Sequence, residues 1–191
     1  MANSIANVVV GKPLVTGGVL VAPKGTALPT DASTAPGVLF KPVGYITDSG
    51  VVKSEKRNTG TINAWGGDTI AATSKGYDVT IKLDLAEFLN SVTQGLIYGA
   101  ANVTTTPATA SAGNLLKITA TSAPTPHNAW IFEIANDTKK VRLVVPDGKV
   151  MDTGDTTFKD DAIAAAALTL QCFPDASGAY YYVYTDDGQH I

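Results

Sequence analysis

From Tyr77 to Leu85 apolar and polar residues alternate without a break. Tyr77, Val79, Ile81, Leu83 and Leu85 fall on one side, and Asp78, Thr80, Lys82 and Asp84 on the other. Successive side chains of a strand point to opposite faces, so this stretch predicts a half-buried β-strand. The period then changes. In "EFLNSVTQGLIYG" Phe88, Leu89, Val92, Leu96 and Ile97 share one face at helical spacing, which predicts a helix over about 87–98 that Gly99 can end in a left-handed turn. A later start is also open, because Asn90 can act as the cap and Ser91 with Gln94 can form a capping box. Strand patterns resume in "LLKITATS", in "AWIFEIA" and "KKVRLVVP" joined by the turn "NDT", in the second half of "AIAAAALTLQCF", and in "AYYYVYT". Asp147-Gly148 reads as another turn.

The first third reads differently. Residues 11–42 mix Gly, Pro, Thr and Ala with isolated apolar residues, and Pro13, Pro23, Pro29 and Pro36 each remove a backbone donor. An extended arm is expected, with one short strand at Val19–Ala22. Residues 53–63 carry the densest charge in the chain, and "WGGD" with "ATSKG" adds turn chemistry, so about 50–75 is a long loop or an exposed hairpin. The expected fold class is therefore mainly β: an antiparallel β-sandwich or barrel with one flanking α-helix. An N-terminal arm (1–42) precedes a domain at 43–191.

Candidate chemistry is sparse. Asp48-Ser49-Gly50 and Asp152-Thr153-Gly154 have the triplet form of aspartic proteases, in which two carboxylates share a proton across a symmetric cleft. Their flanks, "YITDSGVVKSE" and "KVMDTGDTTFK", do not match, and Asp-Ser-Gly is equally a turn between strands. Asp152, Asp155, Asp160 and Asp161 form an acidic run that lacks the ligand spacing of a calcium loop, leaving a solvated loop or a weak cation site. The histidines, His127 and His190, have no Cys/His partners at zinc spacing. Cys172, the single cysteine, sits in a strand pattern and reads as a buried apolar position. Trp65 and Trp130 could stack on a ligand, although packing is the usual role of tryptophan. No cofactor is expected.

Of the 191 residues 45% are hydrophobic and only 16% charged, a neutral surface that tolerates close protein contact. Net charge is -3, with 8 basic and 7 acidic groups in residues 1–100 and 6 and 10 in the rest. No basic patch of the kind nucleic-acid binders need is visible. No signal peptide or membrane-length apolar run is seen, so cytoplasmic synthesis is expected. Val19, Val21, Leu28, Val38 and Leu39 are too apolar for a solvated arm and need cover from this subunit or a neighbour.

The ordered set "GGVLVAPKGTALPTDA", "FKPVGYITDSGV", "INAWGGD" and "EFLNSVTQGLIYG", spanning about residues 17–103, resembles the major tail proteins, or tail tube subunits, of long-tailed bacteriophages, particularly those of actinobacteria. The resemblance implies a self-assembling structural protein, six copies to a ring. The rings stack into the tube through which DNA passes without specific binding. It further implies a place in the virion tail, after assembly in the host cytoplasm, and tape-measure, tail terminator and baseplate proteins as partners. By position, Val19, Val21, Leu28, Val38 and Leu39 of the arm would touch neighbouring subunits, as would Lys53, Glu55, Lys56, Arg57 and Trp65 of the loop. Lumen candidates are the polar strand faces: Asp78, Lys82, Asp84, Glu133 and Arg142. Open sheet edges that add strands, head-to-tail contacts that close into rings and the shortage of basic residues suit the same reading. The competing functions are a β-sandwich binding or decoration module of a virion and an aspartic hydrolase.

Overall fold

A computed structural model describes residues 8–14 and 18–189. Residues 1–7 and 15–17 of the expected arm, and His190, lie outside them. The described strands are β1 (Lys12–Pro13), β2 (Val19–Pro23), β3 (Lys41–Pro42), β4 (Ile46–Asn63), β5 (Thr69–Leu85), β6 (Val103–Thr106), β7 (Leu115–Ile118), β8 (His127–Asn136), β9 (Lys139–Thr153), β10 (Ala166–Cys172) and β11 (Tyr182–Asp186). Helix α1 (Ser91–Tyr98) lies between β5 and β6. The fold is mainly β, as the alternation predicts.

All strand pairings are antiparallel. The main sheet runs β3-β2-β8-β9-β10-β5-β4, with β1 on β8 and β11 on β9, while β6 and β7 form a separate ribbon. Strand β9 belongs to two halves of this sheet. Its first half lies between β8 and β11, and its second half pairs with β10. The change falls at a bulge, where Trp130 opposes Val145 but Asn128 opposes Gly148, so one extra residue bends the strand. Asp147-Gly148 is thus a bulge inside β9 and not the expected turn. A Cβ at Gly148 would lie 2.9 Å from Trp130 Cδ1, so the indole packs directly on backbone. Its Nε1 also donates to the Gly148 carbonyl at 3.3 Å. The bend brings Trp130 and Phe132 over Ile81, Leu83, Leu85, Leu168 and Leu170, all buried in one core.

The bulge is held by Asp147, which is 3% exposed. Its carboxylate accepts from Lys24 Nζ and contacts His127 Nδ1, both at 2.5 Å. Burial alone would raise the pKa of this carboxyl, but the bonds from Lys24 and His127 outweigh it and hold it below the ordinary range.

Helix α1 starts at Ser91, the later of the two expected starts. Asn90 Oδ1 accepts from Val92 N at 2.9 Å, and Gly99 ends the helix at φ 86°. The capping box is not made. Gln94 Nε2 donates instead to the Phe88 carbonyl at 2.6 Å.

The arm expectation needs correcting. Strand β2 is an interior strand between β3 and β8, so Val19–Pro23 is part of the main sheet and not of an arm outside it. Val19 and Val21 lie in the chain's own core because their register against Phe132 and Trp130 turns them inward. Residues beyond Pro23 fold back over the outer face of β8 and β9, where Leu28 and Phe40 pack with Ile131, Val144, Tyr182 and Tyr184. Only Val38, 98% exposed, and Leu39, 58% exposed, remain uncovered among the five arm candidates.

Candidate assembly interface

The stretch expected at about 50–75 as a long loop or an exposed hairpin is the distal part of a long hairpin made by β4 and β5. Its ladder runs from Val51 opposite Leu83 to Asn63 opposite Thr69. Near the body, residues 79–85 of β5 also pair with β10, but residues 69–78 pair with β4 alone. At about 3.3 Å per residue, roughly 30 Å of two-stranded ribbon leaves the sheet. Residues 53–63 show no apolar alternation because both faces of this ribbon meet solvent.

A polar brace fixes the ribbon's base. Glu55 accepts from Lys53 Nζ at 2.5 Å, from Tyr181 Oη at 2.5 Å and from Tyr77 Oη at 2.7 Å. Lys53 lies 4.2 Å above the Tyr181 ring, Arg57 stacks on Tyr77, and Tyr77 meets Tyr180 edge-on. The bond from Lys53, then those from Tyr181 and Tyr77, pull the Glu55 carboxyl down to about 2. The same carboxylate pushes Tyr77 up to about 12. Three loop candidates, Lys53, Glu55 and Arg57, are therefore engaged within their own chain, while Lys56 is exposed.

The tip is a defined turn. Gly67 N donates to the Ala64 carbonyl at 3.0 Å, Ala64 N to the Asp68 carbonyl at 2.7 Å, and Gly66 and Gly67 adopt positive φ. Trp65 stands fully exposed on this turn, flanked by exposed Ile62 and Ile70. An indole in water is unfavourable, and burying it against a partner removes that cost.

Strand direction places the tip relative to everything else. Neighbours are antiparallel throughout the main sheet, so β2, β9 and β5 run one way. The Pro23 end of β2, the His127 end of β8, the Leu85 end of β5 and the helix that follows therefore face one pole. The Trp65 turn faces the other.

The remaining candidates separate cleanly. Asp78 and Lys82 are exposed and Asp84 is half-buried, all on the outer face of β5. Glu133 and Arg142 are not on a solvated face, and their assignment to a lumen is corrected. They are 7% and 3% exposed, joined at 2.8 Å through Arg142 Nε and 2.7 Å through Nη2 to one carboxylate oxygen. Arg142 Nη1 also donates to the carbonyls of Asp31 and Thr34 at 2.7 and 2.8 Å. The folded-back arm thus covers the pair, and nothing near either residue in sequence announces that cover.

The enzyme candidates do not assemble. Asp48 and Asp152 are exposed, on β4 and β9, with β10 and β5 between them. Three strand spacings make about 14 Å, whereas a shared proton needs carboxylates about 3 Å apart. Asp161 is paired with Lys159 at 3.1 Å, and among the described residues no group of three or more His, Cys, Asp or Glu side chains is arranged to hold a metal ion. Trp130 is buried, stacked near Phe132. Cys172 is buried, which pushes its thiol up to about 12. No helix among the described residues is long and apolar enough to cross a membrane.

A β body whose Asp147, Glu133 and Arg142 are spent on internal pairing, and which holds a fully exposed tryptophan out on a ribbon, defines a structural protein built for contact. The family follows from comparison: the model of the phage tail tube protein family matches residues 1–190. The chain belongs to that family and is a structural component of a phage tail. No curated protein matches it in sequence. Among solved structures it is similar to a chain of the anti-feeding prophage cap that terminates that particle's tube, with TM-score 0.48 and 13% identity over 97% of this chain and 100% of the other. A chain of the PVC extracellular contractile injection system, from its extended sheath-tube complex, gives 0.46 and 10% over the same shares.

Proposed function

We propose that copies of this chain close into rings of six that stack into the tail tube, and that the bore of this tube carries the genome into the host. The observation that carries the reading is the β4–β5 ribbon, which leaves the sheet with an exposed tryptophan at its end. In one copy the ribbon has nothing to bind, and stacking gives it a surface. Val38 on the covering arm adds a lateral apolar contact. The outer face of β5, with Asp78, Lys82 and Asp84, lines the bore, where few cations mean little drag on phosphates. The chain performs no catalysis in this role. It meets a tape-measure protein inside the tube and terminator and baseplate proteins at its ends, and it waits in the host cytoplasm before assembly.

Electron microscopy of the purified protein at rising concentration, alone and with a tape-measure partner, tests this. Rings and tubes of uniform width are expected. A protein that stays monomeric at every concentration and decorates a virion surface at low copy would replace this reading with that of a decoration module.

A further inference from the structure

At the pole opposite the Trp65 turn, helix α1 and strand β2 leave a groove of about 470 Å³ between them. Val21, Leu39, Val92, Leu96 and Val103 give it an apolar wall, and Lys41 is the one charged residue that lines it. Leu39, more than half exposed, stands at this groove with its side chain uncovered. The molecule therefore carries an apolar knob at one end and an apolar hole at the other. Such a pair makes a head-to-tail contact that repeats along an axis.

A second cleft, between Phe88, Leu89 and Ile163, lies at the segment leading into α1, and Glu87 is its charged residue. Charge decides between the two. Asp68 sits beside Trp65 on the turn and is exposed. Docking against Lys41 would give it an opposite charge, while docking against Glu87 would set two carboxylates together, which selects the first groove.

We infer that the Trp65 turn of one copy seats in the groove between α1 and β2 of a copy in the next layer, with Asp68 of the first against Lys41 of the second. This rests on the stacked-ring reading and names the receptor for the ribbon, which that reading leaves open. The groove offers an indole a pocket walled by aliphatic side chains. The flanking Ile62 and Ile70 close over its rim.

Cysteine cross-linking in assembled material tests it, and Cys172 is too deeply buried to interfere. W65C combined with V92C should give intermolecular disulfide ladders on oxidation of tubes, whereas W65C combined with L89C should not. In parallel, W65A should raise the concentration needed for stacking at least tenfold without loss of the folded circular dichroism spectrum, since Trp65 touches no core. K41E and D68K should each weaken stacking, and the double exchange should restore it. Tubes that form normally in W65A, or that cross-link W65C to L89C instead of V92C, overturn the inference and leave the tube reading standing. Failure of the unaltered protein to form any ring or tube overturns the tube reading and this inference with it.

Discussion

Arg142 shows how far a single residue can mislead when only its neighbours in sequence are known. On β9 it follows Val141 in a strand of alternating character, so it reads as the polar side of a half-buried strand. In the fold that side is covered, because Asp31 and Thr34 offer their carbonyls to the guanidinium from more than a hundred residues away. Glu133 completes the pair across the ladder. Removing one partner of a buried ion pair strands the other, so Arg142→Ala is expected to lower stability by about 3–5 kcal/mol. A residue on a solvated channel wall would cost within about 0.5 kcal/mol. Urea denaturation followed by tryptophan fluorescence separates the two. Val21 teaches the same lesson from the other side: its cover, sought in a neighbour, is Trp130 of its own chain.

Elements were legible where one face is buried and illegible where both are wet. The alternation at 77–85 marked the body-proximal half of β5, and Asn90 marked the later of the two starts open for α1, because each pattern records a single dry side or a local bond. The distal ribbon has two wet sides, so its strand character lies only in its ladder, and residues 53–63 leave a loop and an exposed hairpin equally open. Its brace makes a pH prediction. The Glu55 carboxyl is held at about 2, below its ordinary 4.5, by Lys53, Tyr181 and Tyr77. A lowered value means the brace contributes fully above the ordinary value and is lost as pH falls through the folded one. Because Glu55 meets solvent, screening keeps that contribution small. In an NMR titration the Glu55 carboxyl should still be ionised at about pH 3.5, and in Tyr77→Phe its midpoint should move up toward the ordinary range. A midpoint near 4.5 in the unaltered protein would mean that the brace does not form in solution.

The whole molecule is a bent antiparallel sheet with a long handle, and its fold class was visible from the run of strand patterns. Its polarity was not, since which ends share a pole follows from strand pairing alone. Charge acts at this scale. With -3 overall and acidic groups on the outer face of β5, assembled tubes should not retain duplex DNA at about 0.15 M salt. Exchanging both Asp78 and Asp84 for lysine should create salt-sensitive retention in a filter-binding assay. If retention stays absent in that variant, these residues do not line the bore. One last consequence follows from the handle and the groove lying at opposite ends. Under the proposed seating, a column of such subunits would finish in a crown of unsheathed indoles at one extremity and in vacant sockets at the other, so proteins capping its two ends would have to differ, and elongation would have a built-in direction.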